Sequence, residues 1–395
     1  MTVDLEDLGF DRGAALLVKR ALARLAPGQA ITIQGSAADL LVHLRAWCRT
    51  EGHEFRVCTD GAAQVVKGVS SEERWSGAER AGHANPFDDG AVLSHPSQRW
   101  GLAARGALVE AGSPEFRFPL SEKIDVWSLD AVRLYAQAAG AQWDPATAVP
   151  WDACFDLPDE VEDAVVQVMT YLIENETAAL IVPSRFIAQL HPHFREVMQL
   201  LAIQAADEAR HIEVFTRRAL LKGRQPGVST AGGQASLQTL VEEPDFATAS
   251  FLLSVLGEGT FLSLLWFLER YAPDPVTAAV CRLAAQDEAR HVAFGIAHLR
   301  EHIRADPSVA ATLATAVRRR HDALRHTAGL SGQVFEALVL MAAGSWAPSD
   351  LRTGYDAVAN LLEEMNSGRT KRLIRLGFGT QEAEELASLH TRNLM

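Results

Sequence analysis

At 395 residues the chain is long enough for two or three domains, and its 48% hydrophobic and 22% charged residues are typical of folded globular proteins. The formal net charge of −13 excludes a general nucleic-acid-binding surface, because such a surface needs clustered positive charge. The first residues, MTVDLEDLGF, show no basic stretch followed by an apolar one, so we expect no signal peptide. Four cysteines without a C-x-x-C pair predict a cytoplasmic protein with reduced thiols.

Residues 1–70 predict a small α+β domain. The segments RGAALLVKRALARLA and AADLLVHLRAWCRTEG have the apolar spacing of amphipathic helices, whereas PGQAITIQG and HEFRVCT are typical of short strands and their turns. Residues 71–120 are rich in Gly, Ser, Pro and His and predict an irregular connecting region.

Residues 121–395 show only helical periodicity, so the predicted fold class is mainly α, preceded by the small α+β domain. The polar, glycine-rich stretch 223–234 predicts a crossover between two helix pairs whose other connections are short. The predicted helices cover residues 128–140, 159–190, 194–222, 245–271, 275–304, 307–327, 331–346, 350–367 and 380–390.

One predicted helix contains the apolar run FLLSVLGEGTFLSLLWFL at 251–268, whose length also fits a membrane span. Glu258 lies near its middle, where a carboxylate in lipid would be costly. A helix that is buried on all sides inside a bundle has the same composition. We therefore predict a bundle helix and no membrane partner.

The pentapeptide DEARH occurs twice, at 207–211 and at 287–291. Glu208 and His211 are three residues apart, as are Glu288 and His291, so each pair shares one face of its helix. A single Glu-x-x-His pair is usually part of a solvated, salt-bridging surface. Two identical copies in apolar surroundings favour a different interpretation, in which each copy supplies half of a two-metal site.

Such a carboxylate-bridged site needs one further glutamate from each of two partner helices. Glu258 lies 30 residues before Glu288, alone in a very apolar helix. Burying it without a partner would cost several kcal/mol, which metal coordination would offset. Before Glu208 the segment YLIENETAAL offers Glu176 and, as the alternative, Glu174; the apolar spacing favours Glu176.

The predicted ligands are four carboxylates and two imidazoles without a thiolate, which suits iron or manganese. We expect two iron ions or a Mn/Fe pair, with O2 as co-substrate. Asp207 and Asp287 cannot share a face with the neighbouring glutamate, and we predict that each hydrogen-bonds a ligand histidine of another helix; the alternative is a surface pair with arginine. Arg210 and Arg290 either join these contacts or form simple salt bridges.

With these residues placed, residues 121–395 resemble the ferritin-like di-iron carboxylate superfamily, through Glu176, Glu258 and the two DEARH repeats. The segment RLYAQAAGAQWDPATAVPWD at 133–152 resembles the helix and loop that lead into the bundle of ribonucleotide-reductase-like oxygenases, and the relatives of p-aminobenzoate N-oxygenase are similar in outline. The resemblance implies a four-helix core, a bridged di-iron centre and O2 activation for the oxidation of an organic substrate.

Two positions depart from these families. The N-oxygenases have an extra histidine one turn before the second-repeat glutamate, where this chain has Ala284. The radical-generating reductase subunit has a tyrosine one turn after the first-repeat histidine, where this chain has Phe215. These departures weaken the case for N-oxygenation and argue against ribonucleotide reduction.

The N-terminal domain resembles the sulfur-carrier family typified by TusA, over about 50 residues of helix and strand pattern. That family has a Cys-Pro-x-Pro motif after the first strand, where this chain has DRGAA with Arg12 in place of the nucleophile. Cys48 lies within an apolar helix and is predicted to be a core residue. We interpret the domain as a degenerate module for docking or substrate recognition.

The function predicted from the sequence is that of a non-haem di-iron oxygenase acting on a small organic substrate by hydroxylation, N-oxygenation or oxidative rearrangement. Because no flavin or nicotinamide fold is encoded, the electrons would come from an external reductase or ferredoxin. The alternatives are a ferroxidase or peroxide-handling protein without an organic substrate, and a partner-binding protein of sulfur metabolism. The helices after residue 305 would cover a substrate pocket or form a homodimer interface.

Overall fold

The computed structural model describes residues 1–58, 62–70, 75–325 and 332–389. It divides into two compact units, Met1–Ala81 with Gly106–Glu115, and Gly82–Arg105 with Phe116–Met395. The region predicted to connect two domains therefore contributes residues to both units. Parts of the predicted segments, at 59–61, 71–74, 326–327, 331 and 390, lie outside the described residues.

The first unit is a small α+β fold. Its elements are β1 (Thr2–Asp4), α1 (Ala14–Leu22), β2 (Ala30–Gln34), α2 (Leu40–Thr50), β3 (Glu54–Val57), β4 (Ala63–Val66), β5 (Glu79–Arg80) and β6 (Leu108–Val109). The four-stranded sheet has the order β1-β2-β4-β3, with β1 parallel to β2 and the other pairs antiparallel, and β5 pairs with β6 in a separate ribbon. Along β2, Ile31 and Ile33 point into the core, where they meet apolar side chains of α1 and α2.

Two residues of this unit bear on the predicted sulfur-carrier resemblance. Arg12 is exposed and ends the 3-10 turn Phe10–Arg12. Cys48 is fully buried, and burial raises the pKa of its thiol to about 11. A buried thiol with a raised pKa is unreactive, so Cys48 does not replace the missing nucleophile. The resemblance to the sulfur-carrier family itself stays a prediction.

The second unit is helical. Its helices are α3 (Lys123–Val126), α4 (Asp130–Gly140), α5 (Asp159–Ile187), α6 (Arg195–Leu220), α7 (Ala231–Val241), α8 (Phe246–Arg270), α9 (Pro275–Ala305), α10 (Ser308–Leu324), α11 (Gly332–Ala343), α12 (Pro348–Leu376) and α13 (Thr380–Ser388).

Four long helices form the central bundle. The neighbouring helices α5 and α6 pack along their length, as do α8 and α9, and α6 also contacts α9. The short connections inside each pair make its helices antiparallel. The shorter helix α4 packs across α6 and α9, which are the two helices that carry the DEARH repeats.

The connection between the two helix pairs differs from its prediction. Residues 231–234 were predicted to belong to an irregular crossover, but they begin helix α7. The hydroxyl of Thr230 accepts a hydrogen bond from the amide of Gly233 at 3.1 Å and caps this helix. Leu237 and Leu240 are buried, so burial of an apolar face outweighs the low helix propensity of the two glycines.

Helix α12 is longer than predicted. The sequence predicted its end at residue 367, but the helix continues to Leu376 and stops at Gly377, which adopts a φ of 112°. This left-handed conformation suits glycine and ends the helix. The added turns bury Leu373, Leu376 and, unexpectedly, Arg369. Helix α3 was also missed, since its single turn is too short for periodicity to show.

Helix α8 contains a wide π-helical segment, Phe251–Glu258, in which every residue is buried. Helices α5 and α8 are long and apolar enough to cross a membrane, and 61% and 83% of their most apolar windows are buried inside the protein. Such burial is also typical of core helices in soluble proteins. The absence of a membrane partner stays a prediction.

Candidate metal centre

Six buried acidic and histidine side chains meet in the middle of the bundle. Helices α5 and α8 each contribute one carboxylate, and α6 and α9 each contribute the glutamate and histidine of a DEARH repeat. The six residues are Glu176, Glu208, His211, Glu258, Glu288 and His291. Of the two candidates on α5, Glu176 lies in this cluster, whereas Glu174 is only half-buried and lies outside it.

The cluster consists of two groups of potential metal ligands that share two members. Glu176 and His211 lie in one group, Glu258 and His291 lie in the other, and both groups contain Glu208 and Glu288. Within each group, one ligand atom of every residue lies within 4.8 Å of the others. The two shared carboxylates would therefore help to hold both ions of a metal pair, and each remaining glutamate and histidine would help to hold one of them.

The same nitrogen of both imidazoles faces the carboxylates. His211 Nδ1 lies 3.2 Å from Glu208 Oε2 and 3.5 Å from Glu176 Oε2. His291 Nδ1 lies 3.1 Å from Glu208 Oε1 and 3.3 Å from Glu288 Oε2. In both repeats Nδ1 is thus the nitrogen available to a metal ion.

The electrostatics of the cluster favour bound cations. Burial and the charge of Glu208 raise the pKa of Glu176 to about 8, and burial and Glu288 raise the pKa of Glu258 well above its usual range. Glu176 Oε1 and Glu258 Oε2 are buried and lack a hydrogen-bond partner. Unpaired buried carboxylate oxygens are costly, and coordination to a divalent cation would satisfy them. The residues present therefore fit a pair of metal ions.

The other nitrogen of each histidine bonds an aspartate from the opposite repeat. His211 Nε2 lies 3.1 Å from Asp287 Oδ2, and His291 Nε2 lies 3.3 Å from Asp207 Oδ2. Burial raises the pKa of each aspartate, but the hydrogen bond to histidine, the charge of that histidine and the further hydrogen bonds together outweigh burial, so both pKa values are lowered. The charged aspartates hold both rings with Nδ1 directed at the carboxylates.

Residues that the sequence analysis did not identify complete this hydrogen-bonded layer. Gln142 Nε2 donates to Asp207 Oδ1 at 2.8 Å, and Trp143 Nε1 donates to Asp287 Oδ2 at 2.8 Å. Both residues lie just after helix α4, in the segment 133–152. The sequence analysis assigned that segment a family resemblance but gave neither side chain a role. Arg210 bridges the two aspartates, because its Nη2 lies 2.5 Å from Asp207 Oδ1 and 2.8 Å from Asp287 Oδ2.

Two further contacts refine this picture. Arg290 donates to Asp287, so it joins the same network as Arg210. Gln204 Nε2 donates to Glu258 Oε1 at 2.9 Å, and both groups are buried. Gln204 lies one turn before Glu208 on the same helix face, and this spacing is the signal that would have identified it.

The remaining sequence-predicted positions lie outside the cluster. Phe215 is buried one turn beyond His211, with ring centroids 6.3 Å apart, and Ala284 is buried on α9. His191 and His193 are also buried, at the turn between α5 and α6. His193 Nε2 accepts a hydrogen bond from the amide of Leu93 at 2.9 Å.

No family model matches the sequence, and no curated protein matches it. Among solved structures, a variant of R2-like ligand-binding oxidase with an aerobically reconstituted Mn/Fe cofactor matches at a TM-score of 0.51 and 17% identity, covering 63% of this chain and 94% of that chain. A second variant of that oxidase matches at a TM-score of 0.49 and 18% identity, covering 63% and 95%. A protein with aldehyde deformylating oxidase activity from Synechococcus matches at a TM-score of 0.39 and 16% identity, covering 58% of this chain and 96% of that chain.

The similarity with the TM-score of 0.51 shows a shared fold. The chain therefore has the ferritin-like, mainly α fold of the R2-like oxidases, as the sequence predicted.

Proposed function

We propose that this protein is a di-metal oxygenase that uses O2 to oxidise a small organic substrate. The observation that carries the proposal is the pair of ligand groups sharing Glu208 and Glu288 inside a closed apolar bundle. Carboxylate and imidazole ligands without thiolate favour iron or manganese, so the proposed cofactor is two iron ions or a Mn/Fe pair. The fold-sharing solved structure is named as an oxidase with a Mn/Fe cofactor, which supports this choice.

A metal pair held by these residues would supply the redox chemistry that O2 activation needs. Glu208 and Glu288 would hold the two ions together, while Glu176 with His211 and Glu258 with His291 would each fix one ion. Asp207 and Asp287 would keep the imidazoles oriented. The apolar side chains around Glu258 would exclude water from the site.

Transfer of one oxygen atom to a substrate and reduction of the other to water requires two electrons and two protons. We propose that an external reductase or ferredoxin supplies the electrons. The N-terminal unit is proposed to serve docking or substrate recognition, and the cytoplasm is the proposed location because the thiols would stay reduced there.

The first test is metal content per chain after anaerobic loading with Fe(II), followed by O2 consumption. About two metal ions per chain in the wild type, and loss of metal in His211→Ala with retained helical circular dichroism, are the expected results. Metal binding near zero in the wild type would overturn the proposal.

A second measurement separates the proposed function from a ferroxidase. A ferroxidase consumes O2 in proportion to added Fe(II), whereas an oxygenase with a reduced and loaded site consumes further O2 only with substrate and electron donor. Sustained O2 uptake driven by Fe(II) alone, without oxidation of any organic compound in a screen, would favour the alternative.

A further inference from the structure

Arg369 occupies a core position of helix α12. The buried face of this helix carries Leu361, Met365 and Leu373 at four-residue intervals, and Arg369 stands in the same row. Its side chain is in the interior, with the residue only 3% exposed. A guanidinium thus lies where the helix pattern calls for an apolar side chain.

The guanidinium of Arg369 has no partner among the described residues. Its buried Nε lacks a hydrogen bond, and burial lowers the pKa of the side chain to about 10 with no carboxylate opposing the shift. Leaving a buried cation without a compensating partner is strongly unfavourable. Retaining such a group suggests that an anion from outside the chain completes it.

Other buried arginines of this unit are compensated. Arg105 Nη2 lies 2.5 Å from Glu196 Oε1. Arg218 donates hydrogen bonds to Glu162 Oε1 at 2.6 Å and to Asp274 Oδ2 at 2.8 Å. Arg320 lacks a carboxylate but donates to the hydroxyls of Ser236 and Thr239 at 2.9 Å each. The contrast shows that Arg369 is exceptional among the buried arginines described.

A second guanidinium lies one turn further along α12. Arg372 is half-buried, and burial together with the charge of Arg369 lowers its pKa to about 10. Two cations close enough to perturb one another, neither of them bonded to an acidic side chain in the described part of the chain, form a site of concentrated positive charge.

Arg372 connects this positive site to the metal-binding helix. Its Nε donates a hydrogen bond to the backbone carbonyl of Val255 at 2.7 Å, and its Nη2 lies 3.4 Å from Thr260 Oγ1. Gly259 permits this approach, because a Cβ there would lie 2.4 Å from Arg372 Nε. Val255 and Thr260 flank Glu258, so Arg372 lies against the turn of α8 that carries a proposed metal ligand.

We propose that Arg369 and Arg372 form an anion site that takes the carboxylate of the organic substrate. A guanidinium binds a carboxylate through two parallel charge-assisted hydrogen bonds, which matches the unpaired nitrogens of Arg369. That the bound carboxylate belongs to the substrate rests on the proposed oxygenase function. The substrate class it names is a small organic acid, anchored by its charged end beside the helix that carries Glu258.

The test measures thermal stability and binding with benzoate and hexanoate, each compared with its neutral amide, and with inorganic phosphate. Both metal-free and metal-loaded protein are used. The variants are Arg369→Met, which keeps length without charge, Arg369→Lys, which keeps the charge, and Arg375→Met as a matched control at an exposed position of the same helix.

The expected result is that a carboxylate, but not its amide, raises the melting temperature of the wild type and of Arg375→Met. Arg369→Met should weaken carboxylate binding by about tenfold or more, as expected for loss of a charge-assisted pair. It should also melt higher than the wild type in anion-free buffer, because the uncompensated charge is gone. Arg369→Lys should keep part of the carboxylate effect.

The inference would be overturned if carboxylates had no effect on the wild type, if their effect survived in Arg369→Met, or if phosphate bound in preference to either carboxylate. A lower melting temperature of Arg369→Met in anion-free buffer would identify a structural residue and contradict the site. If the protein bound carboxylate through Arg369 but took up no metal, the proposed oxygenase function would be wrong. The anion site would still be supported.

Discussion

His211 from the first DEARH repeat hydrogen-bonds Asp287 from the second, with 3.1 Å between Nε2 and Oδ2. The reciprocal pair, His291 with Asp207, spans 3.3 Å. Each repeat therefore orients the imidazole of the other, so the two halves of the site depend on one another. This relationship explains why the aspartate is part of both repeats although it cannot face the metal ions itself.

We expect Asp287→Asn and Asp207→Asn each to lower metal affinity by about 10- to 100-fold, because an amide holds the ring less firmly and does not favour the required tautomer. Competition with a chromophoric chelator measures this loss. Glu213→Gln, at an exposed position of α6, is the matched control and should bind metal like the wild type. Unchanged affinity in both aspartate variants would contradict the orienting role.

Glu176→Ala and Glu174→Ala should differ sharply in metal content. Glu176 is buried within the cluster, whereas Glu174 is two residues away on a half-buried face. Elemental analysis after loading should show loss of metal in Glu176→Ala and wild-type content in Glu174→Ala. The opposite result would reassign the ligand on α5.

Glu258→Gln should bind less metal and yet be at least as stable as the wild type when both are metal-free. Burial and the charge of Glu288 raise the pKa of this carboxyl, which shows that its charged form is unfavourable without a cation. Calorimetry should show metal stabilising the wild type by about 2.7 kcal/mol at a hundredfold excess over the dissociation constant, with a smaller effect in the variant. Strong destabilisation of the metal-free variant would argue for a structural role.

His193 should make stability depend on pH on the acid side. Burial and the nearby Arg105 lower its pKa from 6.5 to about 4, so the unfolded chain binds this proton more readily than the folded one. Its contribution is fully present above pH 6.5 and is lost as the pH falls towards 4, with an upper limit of about 3 kcal/mol. Denaturation of His193→Asn should therefore show a shallower pH dependence in this window; equal slopes would exclude the effect.

The sequence alone determined the local part of the site. The three-residue spacing of Glu208 with His211, repeated at Glu288 with His291, sets their shared helix faces whatever the partner helices do. Glu258 was evident because a lone carboxylate in an apolar helix needs a partner. The mainly α class followed from helical periodicity, and the ferritin-like fold followed from the family resemblance that these ligand residues carry.

The tertiary structure alone decided which groups meet across helices. Gln142, Trp143 and Gln204 join the site because α4 packs across both repeat helices and because Gln204 on α6 hydrogen-bonds Glu258 on α8. Helix α7 begins within a glycine-rich stretch of low helix propensity, and helix α12 continues beyond its predicted end. In both cases packing of an apolar face stabilises the helix more than propensity does. The unpaired charge of Arg369 is likewise invisible in sequence, because whether a charge has a partner depends on residues distant in the chain.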